Sequence, residues 1–102
     1  MDDSSMPIYR NKKLLELCRE LPCQVCGRID GTVCAAHSNQ QRDGKGTGIK
    51  ASDAMVASMC HSCHTQLDNG KDLTKEERRE IWELAHRLTI KHMIENEMLV
   101  VK

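Results

Sequence analysis

At 102 residues, with no linker rich in proline, serine or glycine, the chain has room for one folded unit. One tryptophan, one tyrosine and no phenylalanine leave little of the aromatic area that usually dominates a small core; six cysteines and five histidines offer disulfides or a structural metal in its place. Net charge is zero, which weighs against a bulk electrostatic binder of nucleic acid, yet residues 10–50 carry eight basic groups against four acidic ones.

Residues 1–5 are acidic and lead into Arg10, Lys12 and Lys13 without an apolar leader. No stretch approaches the roughly 20 apolar residues of a membrane span. A cytoplasmic protein with no membrane role is expected, and reducing conditions there favour metal-binding thiolates over disulfides.

Leu14, Leu15, Leu17, Cys18 and Leu21 stand at helical spacing within 10–21, and Pro22 disfavours helical geometry at the residue before it. Cys18, set among leucines, reads as a small buried apolar residue. Cys23-Gln-Val-Cys26-Gly27 reads as a metal knuckle, and the Asp30-Gly31 turn precedes a short strand over 32–36. Residues 40–50 carry Gly44, Gly46 and Gly48 with Arg42, Lys45 and Lys50, the composition of a mobile basic loop. A second strand over 55–59 enters Cys60.

A short helix is expected over 61–68, stopped by Asn69-Gly70, a pair suited to a left-handed cap. Thr74 and Glu77 form a capping-box signature for a last helix over 74–97, whose Ile81, Leu84, Ala85, Leu88 and His92 share one face.

Cys23-x-x-Cys26 and Cys60-x-x-Cys63 can present four thiolates to one zinc ion, each about 2.3 Å away. Such a closed set leaves no position for water and serves folding rather than catalysis. Cys34-Ala-Ala-His37 has ligand-like spacing too and supplies a rival set. The 33 residues between Cys26 and Cys60 exceed what a compact zinc ribbon needs, so function is sought there.

The string Cys60-His61-Ser62-Cys63-His64 places a histidine directly after the fourth cysteine. Together with Cys23-x-x-Cys26, Ala35-Ala36-His37 and Asp53, it resembles the zinc-containing branch of the His-Asn-His, or ββα-metal, endonucleases, closest to small phage and prophage nucleases. The resemblance covers residues 23 to about 70. It implies an α+β fold: a small treble-clef/ββα-metal zinc domain at 23–70, flanked by N- and C-terminal helices at 10–21 and 74–97 in a single domain over 1–102.

The same resemblance makes His37 the general base and His64 the ligand of a catalytic divalent ion (Mg2+, Mn2+ or Zn2+). Asp68 lies four residues on, on the same helical face. Ala36 stands where many members carry an aspartate or histidine, and no asparagine is evident between base and helix, where Asp53 is the nearest polar candidate for a catalytic role. Coordination then falls more heavily on His64 and Asp68.

These residue types suit the reaction. Phosphodiesters are anionic and resist attack, neutral imidazole can take a proton from water near neutral pH, and a divalent ion stabilises charge on the phosphoryl and leaving oxygens. Arg42, Lys45 and Lys50 are the expected phosphate contacts. Nucleic acid, DNA in the first instance, is the expected partner, with a homodimer open. The competing expectation is a non-catalytic treble-clef module binding nucleic acid or protein through the same knuckles, and a zinc-built structural subunit is a third.

Overall fold

Asn11 starts the first helix, α1 (Lys12–Cys18), by accepting the Leu14 N–H on its side-chain oxygen at 3.1 Å. The computed structural model in which this is seen describes residues 8–46, 49–70 and 72–101. Residues 1–5, and residues 47 and 48 of the expected loop, lie outside the described residues. α1 is shorter than the expected 10–21 at both ends. Arg10 is drawn away to the carbonyls of Lys50 and Ala51, and the chain after Cys18 tightens into three-residue turns ahead of Pro22. Cys18 is fully buried, as its leucine neighbours implied.

Two strands, β1 (Cys34–His37) and β2 (Val56–Met59), pair antiparallel with Cys34 opposite Met59 and His37 opposite Val56. β1 begins two residues later than the expected strand. The Asp30 carboxylate accepts the Thr32 N–H at 3.0 Å and the Thr32 hydroxyl at 2.6 Å, which holds Thr32 in the turn.

α2 (His61–Asn69) and α3 (Lys75–Glu95) follow, α3 with the complete Thr74–Glu77 capping box. The expected left-handed cap at Gly70 is corrected: its φ is −64° and its ψ 134°, extended. Glycine is required there by close approach, since a Cβ would lie 2.2 Å from the Gln66 carbonyl oxygen.

Alternation along the strands divides the core. On one face Ala36, Ala57 and Met59 pack with Cys23, Cys60, Trp82 and Ala85; on the other Val56 packs with Leu14, Cys18, Leu21 and Met93. α3 runs along the outer edge of β2, where His86 Nδ1 lies 2.6 Å from the Val56 carbonyl and the Thr89 hydroxyl accepts the Ser58 N–H at 2.9 Å. Trp82 Nε1 donates to the Ala36 carbonyl at 2.9 Å. His86 and Thr89 thus meet backbone groups that the two-stranded sheet leaves unpaired on the open edge of β2.

That edge contact also corrects the expected α3 face. The buried stripe is Trp82, Ala85, Thr89 and Met93, while Leu84 is exposed and Ile81, Leu88 and His92 are half-buried. Thr89 is polar and escapes a hydrophobic pattern, yet it is buried because it bonds to β2. No helix among the described residues is long and apolar enough to cross a membrane.

Candidate active site and metal centre

The first cysteine pair sits in a tight turn. Gly27, at a φ of +79°, lets its N–H reach the Cys23 carbonyl at 2.8 Å, and the Cys23 N–H returns to Arg28 O at 3.0 Å. The second pair lies where β2 runs into α2, with Cys60 at the N-cap and Cys63 within the first turn. One ligand atom from each of Cys23, Cys26, Cys60 and Cys63 falls within 4.8 Å of the others, and the Cys26 and Cys60 sulfurs are 3.7 Å apart. Four thiolates at about 2.3 Å from a tetrahedral zinc stand ~3.8 Å apart along each edge. The set fits such an ion.

Protonation points the same way. Burial opposes charge on Cys23, but the N–H groups of Cys26, Cys60 and Val25 outweigh it and draw that thiol down to about 6. Burial and the neighbouring thiols push Cys63 up. Holding all four as thiolates therefore takes a cation at their centre. Neither Cys34 nor His37 belongs to this cluster, so the rival ligand set does not form among the described residues.

His37 closes β1, and its Nε2 lies 2.8 Å from Asp53 Oδ1. Asp53 is only 3% exposed and also accepts the Asn11 N–H at 2.7 Å and Arg10 Nη1 at 3.4 Å. Burial works against its charge, yet the His37 bond, the Asn11 N–H and the His37 and Arg10 charges hold the carboxyl below the usual carboxylate range. An ionised carboxylate only accepts, so the proton of a neutral His37 sits on Nε2 and leaves Nδ1 with its lone pair.

On α2, His64 Nε2 lies 3.2 Å from Asp68 Oδ2, and His64 Nδ1 lies 3.5 Å from Cys34 Sγ. Sequence reasoning gave Cys34 no part here. Were His64 to hold an ion through Nε2, its ring proton would sit on Nδ1, within reach of Cys34 Sγ as acceptor. Ala36, the residue before His37, is 1% exposed and packs with Trp82.

Two clefts, of about 480 Å³ and about 200 Å³, share His37, Asn39, His64 and Asp68 as lining residues. The expected base and the expected ion ligands, from different elements, thus border the same space. Of the expected phosphate contacts, Lys45 and Lys50 line the smaller cleft, whereas Arg42 pairs with Glu83 of α3. The described residues of the loop include a 3-10 turn at Gln41–Asp43 and a backbone bridge between Gly46 and Ile49. Residues passed over in the sequence also line the larger cleft: Asn39, and Lys75, Arg78 and Arg79 of α3. Their helical spacing was the available signal. No protein-family model, curated protein or solved structure matches the chain.

Proposed function

We propose that the chain is a metal-dependent endonuclease of the His-Asn-His, or ββα-metal, type, built on a treble-clef zinc knuckle and hydrolysing phosphodiester bonds of nucleic acid, DNA in the first instance. One observation carries this reading: His37, held through Nε2 on buried Asp53, borders the same clefts as His64 and Asp68. The succession of β1, β2 and α2, with His37 ending the first strand and His64 on the helix, supports it.

In this reading His37 Nδ1 takes the proton of the attacking water, and the Asp53 carboxylate steadies the imidazolium that results. His64 and Asp68 are the residues that would hold a divalent ion, which when bound stabilises negative charge on the phosphoryl and leaving oxygens. Lys45 and Lys50 offset phosphate charge at the smaller cleft.

Burial of Ala36 beneath Trp82, which removes an acidic ligand from that position, favours a second reading: a zinc module that binds nucleic acid or protein without cutting. The test is incubation of the zinc-loaded chain, with and without added Mg2+ or Mn2+, against single- and double-stranded DNA and RNA. His37→Ala is expected to abolish cleavage with binding and zinc content intact, and His64→Ala to weaken it with partial rescue by more ion. Retained cleavage in His37→Ala, contaminating nuclease excluded, removes the proposed base. Absence of cleavage by the unaltered chain on every substrate and ion leaves the zinc module.

A further inference from the structure

Lys75, Arg78, Arg79 and Trp82 follow the i, i+3, i+4, i+7 spacing of one helical face, and all four line the larger cleft. Trp82 is buried and stacks on His86 at 5.0 Å between ring centroids, so it forms a wall rather than a stacking platform. The three cations beside it make no ion pair among the described residues, unlike Arg42, Arg28 and Lys91, which pair with Glu83, Asp30 and Glu95. Arg78 donates through Nη2 to the Gly70 carbonyl, while its Nε is buried without an acceptor among the described residues. The acid lining this cleft is Asp68, already engaged with His64.

The smaller cleft, which shares His37, Asn39, His64 and Asp68 with the larger one, is lined by Lys45 and Lys50. Cations from two elements, the loop and α3, therefore border the clefts that share the candidate centre. We infer that the α3 face formed by Lys75, Arg78 and Arg79 is a binding site for the phosphodiester backbone of a single nucleic-acid strand. The strand crosses the His37–His64 centre, with Lys45 and Lys50 gripping its other flank. This inference rests on the endonuclease reading and adds the strand's path to it. Recognition is through phosphate charge, because among the described residues Trp82 is the one phenylalanine, tyrosine or tryptophan ring lining the cleft, and it is buried.

The probe is a fluorescein-labelled single-stranded oligonucleotide, DNA in one arm and RNA in the other. Binding is read by anisotropy against salt, with the full zinc-loaded chain carrying His37→Ala so that the strand is not cut. Arg78 is left in place because it ties the start of α3 to Gly70. Lys75→Ala/Arg79→Ala is expected to weaken binding about tenfold, and to reduce the slope of log affinity on log salt by ~1.4, at about 0.7 for each phosphate that is no longer neutralised. Lys45→Ala/Lys50→Ala should do the same, and Lys91→Ala, on the opposite side of α3 and paired with Glu95, should change neither.

With His37 retained, hydrolysis of bis(p-nitrophenyl) phosphate by the unaltered chain reads the catalytic centre apart from any longer strand. An unchanged salt slope in Lys75→Ala/Arg79→Ala overturns the inference while small-diester hydrolysis by the unaltered chain preserves the nuclease reading. A loss confined to RNA, or equal displacement by a polyglutamate peptide of matched charge, also overturns it. Hydrolysis of neither substrate by the unaltered chain, with salt-sensitive binding lost in the α3 variant, sinks the nuclease reading and keeps the strand site.

Discussion

Asp53→Asn tests the coupling of base to carboxylate with almost no change of shape. In the folded chain the two Asp53 oxygens face only donors: His37 Nε2 at 2.8 Å, the Asn11 N–H at 2.7 Å and Arg10 Nη1 at 3.4 Å. An asparagine keeps one acceptor and turns an NH2 toward a donor. If the amide nitrogen faces His37, the ring must accept at Nε2 and carry its proton on Nδ1, where the lone pair is needed. Cleavage should fall on the order of 10²–10⁴-fold, the usual worth of a general base.

The folded state should weaken as well, by about 1.5–3 kcal/mol for charge-assisted hydrogen bonds removed at a buried site. Arg10 adds little because its side chain is 46% exposed and screened. The acid limb carries the sign. The Asp53 carboxyl titrates lower in the folded chain than when unfolded, so its stabilisation is complete above its unfolded pKa of about 3.9 and is lost as pH falls through the lower folded value. In Asp53→Asn that part of the stability–pH curve should flatten. Cleavage rates with a labelled duplex and thermal melts from pH 7 down to about 3 measure both effects. Asp53→Asn activity within threefold of the unaltered chain would refute the coupling.

Cys60→Ser/Cys63→Ser should drop bound zinc from one per chain to none and unfold the segment around β2 and α2. Structural zinc contributes an apparent ~10–16 kcal/mol, against a total domain stability of about 5–15 kcal/mol. Elemental analysis and circular dichroism check it, and a folded zinc-free variant would contradict it. Cys34→Ala, which removes the sulfur 3.5 Å from His64 Nδ1, should raise the Mg2+ or Mn2+ concentration needed for half-maximal cleavage by about 10–100-fold with zinc content unchanged. An unmoved metal titration would show that this sulfur does not orient His64.

Features that rest on near neighbours in the chain were readable from the sequence. The Thr74–Glu77 capping box, the Asp30-Gly31 turn and the two Cys-x-x-Cys pairs each need only residues within a few positions of one another. The alternatives at Cys34 and His37 could be dropped only once the strands had carried those residues away from the four sulfurs. Hydrophobic spacing located α3 but misjudged its buried face. A lone amphipathic pattern cannot anticipate that Thr89 and His86 will be turned inward to bond an open strand edge.

The candidate site divides in the same way. His37 and His64 were singled out by the resemblance that the surrounding motifs carry, and Asp68 by its place four residues after His64. The bond between His37 and Asp53 spans 16 positions and the capture of Arg42 by Glu83 spans 41; no local pattern encodes either. Whether a cation in the sequence is free to meet a phosphate depends on which carboxylates the fold brings beside it. That is why Arg42, prominent in its glycine-rich loop, ends up paired on α3. Lys75, Arg78 and Arg79, inconspicuous in a charged helix, line the cleft because packing of Trp82 against the sheet turns their face toward it.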